Sequence, residues 1–180
     1  METFSCDIET DGIEATKVWC AVVQNVYTEE TTVFYKSDDF SNWLDEQTLV
    51  FHNGIAFDVP VLEEIWGIDF NNITIEDTLI LSQLDSPRRE GGHSLANWGE
   101  YLGYHKGDHE DWSKLSTEMV EYCIRDTEIT SKVYKILRQK GLSQDAKELE
   151  YAIKRQCTVQ EKNGWLFDER GAIEILQSIN

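Results

Sequence analysis

One short stretch, residues 5–10 with the sequence SCDIET, constrains the fold of this chain more than any other. In a β-strand successive side chains point to opposite faces, so Cys6 and Ile8 would share one face while Asp7 and Glu9 share the other. Two carboxylates side by side repel each other unless solvent or a cation relieves the repulsion. The stretch therefore predicts an opening strand with one core face. It leaves two alternatives for the acidic face, a solvated edge or a divalent-metal site.

The length and composition predict one globular domain with a hydrophobic core. The chain has 180 residues, of which 41% are hydrophobic and six are tryptophan. This is enough apolar material to bury a core. We expect residues 1–141 to form the domain, which ends near Gly141, and residues 142–180 to form a helical extension.

The charge balance restricts the possible partners. There are 34 acidic and 16 basic residues, for a net charge of -18, which is the wrong sign for a typical nucleic-acid binder. Nucleic acid can still bind if metal ions bridge the acids to phosphates, or if another domain or subunit supplies a basic surface. The alternative is an acidic protein that mimics DNA.

The sequence also indicates where the protein resides. No apolar run approaches the length of a membrane span, and the first residues lack the basic start of a secretion signal. We therefore expect an intracellular, cytoplasmic protein without a membrane partner. Four scattered cysteines with no C-x-x-C pair predict neither disulfides nor a zinc finger; they are Cys6, Cys20, Cys123 and Cys157.

Strand and helix patterns alternate along the chain and predict an α/β fold with a mixed sheet flanked by helices. The first strand and residues 17–23 and 31–35 form an antiparallel meander, a strand at 49–52 lies beside the first, and another lies near 73–75. Helices are predicted at residues 37–44, 60–66, 77–84, 94–102, 116–140 and 143–162, and from 168 onward. Ser37 and Asp168 are the expected N-caps of the first and last helices.

Two further acids stand where strands give way to helices. Asp58 follows the strand at 49–52 and precedes Pro60, which suits the first turn of a helix. An acid there has two possible roles, helix capping or metal binding. At Asp77, also at a helix start, we favour capping.

The loop from Tyr104 to Trp112 is rich in polar residues that could hold a metal. His105, Asp108, His109 and Asp111 nevertheless lack the spacing of a known zinc site. We favour a solvated loop.

The long helix at 116–140 supplies the last acidic position. Tyr122 and Asp126 are one turn apart, so both side chains project from the same face. The acids thus occur as D-x-E on a first strand, F-D at a strand-to-helix junction and Y-x-x-x-D on a late helix.

This set and order resembles the DEDD family of exonucleases, which have an RNase H-like fold, and Tyr122 resembles their DEDDy branch. Further likeness lies in His52-Asn53-Gly54, Phe57-Asp58-Val59-Pro60, His93-Ser94-Leu95, Lys106 and Glu161-Lys162-Asn163-Gly164. These motifs are similar to the proofreading exonuclease of bacteriophage-type family A DNA polymerases. The last part is similar to the start of the polymerase region, so the chain is either a fragment of a polymerase or a separate exonuclease.

The resemblance implies a mechanism and a set of site residues. Asp7, Glu9, Asp58 and Asp126 would bind two Mg²⁺ or Mn²⁺ ions, which suit hard oxygen ligands. Tyr122 would orient the attacking water rather than act as a strong base, because a free tyrosine has a pKa of about 10. Nucleoside 5'-monophosphates would leave from the 3' end of single-stranded DNA, and an intracellular location in a phage-infected cell follows.

Residues that flank the acids are candidates for contact with the terminal nucleotide. We expect Thr10, His52 and Asn53 to bind substrate, and Phe57 to belong to the core. A polymerase module in cis or in trans is the expected partner. Two alternatives remain open: an RNase D-like exoribonuclease with the same site, and a non-catalytic acidic binding protein.

Overall fold

A five-stranded mixed sheet forms the centre of the molecule in a computed structural model that describes residues 1–105, 107 and 109–179. The strands are β1 (Thr3–Thr10), β2 (Val18–Asn25), β3 (Thr31–Phe34), β4 (Thr48–Phe51) and β5 (Thr74–Asp77). Their order across the sheet is β3-β2-β1-β4-β5. The first three pair antiparallel, and β4 and β5 add in parallel. The predicted meander and the predicted position of β4 beside β1 are confirmed, and the structure adds that β4 runs parallel to β1.

Helices cover both faces of the sheet and continue beyond it. They are α1 (Ser37–Trp43), α2 (Asp58–Val61), α3 (Thr78–Asp85), α4 (Leu95–Leu102), α5 (Thr117–Leu137), α6 (Gln144–Asn163) and α7 (Glu169–Ile179). A π-helical turn, Leu62–Trp66, extends α2, and a 3₁₀ turn, Arg138–Lys140, extends α5. The predicted α/β fold with a C-terminal helical extension is confirmed.

Strand β1 lies in the middle of the sheet, so the solvated-edge alternative for its acids is wrong. Cys6 and Ile8 pack into an apolar cluster with Phe40 and Leu62. On the opposite face α5 brings Cys123 to within 3.4 Å of Asp7. The side chains alternate as predicted, but the acidic face is covered by a helix instead of facing open solvent.

Most helix ends follow from capping residues in the sequence. The side chains of Ser94, Ser116 and Asp168 each accept a backbone N–H from the first turn of the helix that follows. Ser37 is an exception, because it is already the first residue of α1 and Lys36 occupies the N-cap position without a side-chain bond. The predicted cap at Ser37 is therefore wrong by one position.

The turn between β4 and α2 is held in place by one buried acid, Asp77. Its carboxylate accepts the N–H groups of Asn53 at 2.9 Å, Ile55 at 3.1 Å and Leu79 at 3.0 Å. Asp77 thus caps α3, as predicted, and also fixes the preceding turn. Asn53 lies in the left-handed region at φ 67°, and a Cβ on Gly54 would lie 2.2 Å from the Cβ of Phe51. The turn therefore requires glycine at position 54.

The N-terminal half of α6 is tied to the sheet by polar contacts. The Tyr151 hydroxyl donates to Glu76 at 2.7 Å and accepts the backbone N–H of Asp77 at 3.2 Å. Lys147 pairs with the other oxygen of Glu76 at 2.7 Å. In contrast, α7 buries none of its described residues.

The loop of residues 104–112 contributes no group of metal-ligating side chains among the described residues. Lys106 and Asp108, both named in the sequence analysis, lie outside them. His109 Nε2 lies 2.9 Å from the carbonyl oxygen of Asp111, and the His109 ring contacts Trp112.

All four cysteines are free thiols, as predicted. Within the described part of the chain, no helix is long and apolar enough to cross a membrane.

Replacing Asp77 by alanine tests the anchoring of the β4–α2 turn. Asp77 is 0% exposed, so Asp77→Ala leaves three N–H groups unpaired, each of which costs about 1 kcal/mol or more. We expect the free energy of unfolding in urea to fall by about 3 kcal/mol. Asp69→Ala is the matched control, because Asp69 accepts a single N–H in an exposed turn. Equal losses in the two variants would contradict the anchoring role.

Candidate active site

The four predicted metal-binding acids come from three elements that meet at β1. Asp7 and Glu9 lie on β1, Asp58 is the first residue of α2, and Asp126 lies on α5. Asp58, Glu9 and Asp126 are buried, and Asp7 is half-buried. Acids separated by more than a hundred residues in sequence are therefore brought together around the central strand.

Asp7 and Glu9 form the closest group, together with a cysteine. Carboxylate oxygens of the two acids and the Cys123 sulfur all lie within 4.8 Å of one another. Cys123 Sγ donates to Asp7, with 3.4 Å to both Oδ2 and the backbone oxygen. Burial raises the pKa of Cys123 well above its ordinary value, and the neighbouring Cys20 thiol and the charges of Asp7 and Glu9 add to the rise. Without a metal ion the sulfur is thus protonated.

Asp58 lies in an environment that penalises its charge. Burial raises its pKa to about 7, and the charges of Asp77 and Asp126 add to the rise. The backbone N–H groups of Asp58 and Ile8 donate to the carboxylate, and these hydrogen bonds partly offset the rise in its pKa. Because Ile8 belongs to β1, the carboxylate reaches across to the sheet. Capping alone therefore does not account for its position, and the N-cap residue Phe57 makes no side-chain capping bond.

The acids are not all equally close. Asp58 and Asp126 do not join the mutually close group of Asp7, Glu9 and Cys123. They are linked to it through charge, because Asp126 raises the pKa of Asp58 and both Asp58 and Asp7 raise that of Cys6. The arrangement has one tight pair of acids and two further acids around it.

An open cleft of about 580 Å³ lies beside the acids. This volume is within the range of small-ligand sites. The residues that line it are Ile8, Glu9, Thr10, Gly12, Ile13, Phe57, Trp112 and Tyr122. The cleft thus joins an acid of the tight pair to the predicted catalytic tyrosine.

Aromatic packing holds Tyr122 at the cleft wall. The Trp112 ring meets Tyr122 edge to face, with ring centroids 5.7 Å apart. The Trp112 backbone oxygen accepts the indole N–H of Trp19 at 3.1 Å, which fastens the loop to β2. His109 packs on Trp112 with centroids 4.7 Å apart. Together these contacts place an aromatic wall opposite the turn after β1.

The three residues predicted to bind substrate lie in different places. Thr10 lines the cleft, and its hydroxyl donates to the backbone oxygen of Gly12 at 2.8 Å. His52 and Asn53 are not among the lining residues. His52 Nδ1 lies 2.8 Å from the Thr78 hydroxyl, which donates its proton to the backbone oxygen of Phe51. The His52 ring therefore donates from Nδ1, and both residues are fastened to the start of α3.

Sequence reasoning missed two features of this site. Cys123 is not among the predicted site residues, although its position three residues before Asp126 on a helix places both on one face. Phe57 packs against the core, as predicted, but also lines the cleft. The helical spacing between Cys123 and Asp126 could have indicated that Cys123 lies at the site. Nothing in the sequence shows that Phe57 contacts both the core and the cleft.

The residues present fit a divalent cation. Two carboxylates with oxygens within 4.8 Å of each other supply the hard ligands that Mg²⁺ and Mn²⁺ prefer. The raised pKa of Asp58 shows that its ionised form is disfavoured, chiefly by burial, and a cation beside it would offset this penalty.

Solved structures with the same architecture define the class of fold. NrnC of Brucella melitensis matches with a TM-score of 0.68 and 20% identity, over 91% of this chain and 86% of that one. The catalytic core of RRP6 from Trypanosoma brucei matches with a TM-score of 0.60 and 19% identity, over 88% of this chain and 46% of that one. Phi29 DNA polymerase in complex with primer-template DNA matches with a TM-score of 0.54 and 18% identity, over 79% of this chain and 32% of that one. The fold is RNase H-like, as predicted.

Sequence comparison then identifies the family. A family model described as 3'-5' exonuclease, of the type found in family A DNA polymerases, matches residues 1–141. The chain belongs to this 3'-5' exonuclease family.

Curated relatives include the DNA-directed DNA polymerases of Escherichia phage T7 and Enterobacteria phage T3. Each is 26% identical to this chain, over 94% of this chain and 34% of the relative. The chain thus spans about a third of the length of the curated relatives that it matches.

The buried charge at Asp58 predicts a pH-dependent stability in the metal-free protein. Its folded-state pKa of about 7 lies above the ordinary value of about 3.9. The folded state therefore binds this proton more tightly, and the stability it contributes is complete below about pH 4 and is lost as the pH rises through 7. We therefore compare the free energy of unfolding with a chelator present. Between pH 4 and pH 7.5 it should fall by up to about 4 kcal/mol more in wild type than in Asp58→Asn, at 1.36 kcal/mol per unit of pKa.

Urea unfolding across this pH range measures the effect, and saturating Mn²⁺ is the control. A bound cation favours the ionised carboxylate, so it should flatten the wild-type profile. Identical profiles for wild type and Asp58→Asn in chelator would contradict the assignment of a charge-penalised Asp58.

Proposed function

We propose that the chain is a metal-dependent exonuclease that removes nucleoside 5'-monophosphates from DNA 3' ends during proofreading. The observation that carries the proposal is the meeting of Asp7 and Glu9 with Asp58 and Asp126 beside a cleft that contains Tyr122. Membership of the 3'-5' exonuclease family supplies the reaction class. The likeness to phage DNA polymerases favours DNA as the substrate.

The acids would hold divalent cations, and Mg²⁺ or Mn²⁺ suit the donor set. Asp7 and Glu9 would contribute the nearest oxygens, while Asp126 and Asp58 would complete the charge around them. When bound, a pair of such ions would activate a water at neutral pH and neutralise charge on the phosphodiester during in-line displacement.

The other side chains would position the reacting groups. The Tyr122 hydroxyl, on the cleft wall one turn before Asp126, would orient the attacking water towards the phosphate. Trp112, in edge-to-face contact with Tyr122, would limit the tyrosine to few orientations. Orientation of this kind lowers the entropic part of the barrier.

The cleft would receive the terminal nucleotide. Phe57 and Trp112 offer aromatic surface on which a base could stack. Such stacking depends little on the nucleotide sequence. Thr10 lines the same cleft. His52 and Asn53 lie beside the anchored β4–α2 turn, from which they would reach a substrate only at the rim of the site.

The negative charge of the chain is compatible with this function because of where the acids lie. The net charge of -18 would repel DNA at long range. The site acids would neutralise their local charge when they hold divalent cations, and a polymerase module would supply the remaining DNA-binding surface.

Degradation of a 5'-labelled single-stranded DNA oligonucleotide tests the function. We expect a ladder that shortens from the 3' end with Mn²⁺ and no cleavage with chelator. Asp7→Ala should lower the rate at least about 100-fold, because outer-shell changes alone reduce metal affinity or activity about 10- to 100-fold. Asp45→Ala is the control, since Asp45 is an exposed acid between α1 and β4.

An RNA oligonucleotide of the same sequence separates the substrates. If the RNA were shortened faster than the DNA, RNA would replace DNA as the proposed substrate. A folded wild-type protein that cleaves neither would overturn the catalytic proposal in favour of an acidic binding protein.

We also propose that residues 149–179 face a polymerase module, in cis or in trans. Large apolar side chains are exposed throughout this segment, and Trp165 is 83% and Phe167 73% exposed. Exposed apolar surface of this extent is typical of an interaction site. The alignment with the phage polymerases covers 94% of the chain, which favours the polymerase module as the occupant.

Amide hydrogen exchange of residues 165–179 tests this surface. Joining or mixing the chain with its polymerase module should slow exchange there at least about tenfold, because docking suppresses local opening. Exchange in α1 is the control and should not change. A complex that forms without protection of residues 165–179 would contradict the proposal.

A further inference from the structure

We propose that Cys123 makes the Asp7–Glu9 pair a mixed carboxylate–thiolate site that binds thiophilic divalent ions, such as Zn²⁺ and Cd²⁺, more tightly than Mg²⁺. The inference rests on the proposed function for the use of this site by catalytic ions. It goes beyond that function because it adds a sulfur ligand and a class of ion that the all-oxygen set would not favour.

The distances already suit coordination of one ion. Zinc bonds of about 2.3 Å to sulfur and about 2.0–2.2 Å to oxygen, at a tetrahedral angle, place the two ligand atoms about 3.6 Å apart. Cys123 Sγ lies 3.4 Å from Asp7 Oδ2. Glu9 offers an oxygen within 4.8 Å of both atoms. Three ligands on two elements thus require only small movements to close on an ion.

The surroundings of the sulfur favour a soft ion. Cys123 is 0% exposed and packs with Cys20 and Val22 of β2 on its apolar side. On its other side the sulfur faces the carboxylates of Asp7 and Glu9, where an ion would lie. Thiolate ligands select zinc-like ions, whereas carboxylate ligands alone suit Mg²⁺ and Mn²⁺. On coordination the thiol proton passes to solvent and is replaced by the ion.

Titration of the metal-free full chain with Cd²⁺ tests the proposal through the ultraviolet absorption of the thiolate-to-cadmium charge transfer. The experiment uses a Cys157→Ser background, because Cys157 is the one cysteine that is not buried. We expect a saturable band that Cys123→Ser abolishes, with Cd²⁺ affinity at least about tenfold lower in that variant. Excess Mg²⁺ should displace Cd²⁺ far less effectively than Zn²⁺ does.

Cys6→Ser is the matched control. Cys6 neighbours Asp7 on the same strand and is equally buried, but its side chain packs on the opposite face of the sheet. It should leave the band unchanged. Cys123→Ala provides a second variant, and circular dichroism verifies that each variant is folded.

The outcomes separate this inference from the proposed function, because the band is recorded without nucleic acid. A band that persists in folded Cys123→Ser and Cys123→Ala, or no band in the parent protein, overturns the thiolate ligand even if Mn²⁺ supports DNA cleavage. A Cys123-dependent band in a protein that cleaves no nucleic acid supports the metal site and overturns only the nuclease function.

Discussion

Repulsion among carboxylates held together at β1 is the constraint on which this structure depends. At an effective dielectric constant of about 20, two charges 4.8 Å apart repel by about 3 to 4 kcal/mol, and Asp7 and Glu9 approach at least this closely. Asp58 is penalised separately, because burial, with smaller contributions from the charges of Asp77 and Asp126, raises its pKa to about 7. A fold that keeps this arrangement in spite of the repulsion is suited to bind cations, and the acids then serve chemistry more than stability.

Asp77 shows that burial of an acid is not by itself a sign of function. It lies within the electrostatic reach of Asp58, yet its oxygens accept three backbone N–H groups and so stabilise a helix start and a turn. Asp58 instead reaches from its helix to the N–H of Ile8 on β1. The two acids therefore have different roles. Asp77 holds the turn that precedes α2, and Asp58 at the start of α2 extends into the site.

Much of the fold could be predicted because local signals and global topology agree. Alternation placed Asp7 and Glu9 on one face, and the helical pattern located the helices that the structure shows to be capped by Ser94 and Ser116. That α5 covers the acidic face of β1 could not be predicted from residues 5–10, because strand periodicity does not reveal what packs on a strand. Cys123 was missed for the same reason, since its proximity to Asp7 depends on how α5 crosses β1. The positions of His52 and Asn53 depend on hydrogen bonds to residues of α3 about 25 positions later.

Electron paramagnetic resonance of Mn²⁺ measures whether the clustered acids bind divalent cations. Mn²⁺ is added to metal-free protein without nucleic acid, and the signal of the free ion is followed for wild type and for Glu9→Gln, which keeps the size of the side chain and removes its charge. We expect wild type to remove at least one equivalent of the free-ion signal and Glu9→Gln to remove much less. Cation binding by these acids would be contradicted if folded wild type left the free-ion signal unchanged, or if wild type and Glu9→Gln bound Mn²⁺ equally.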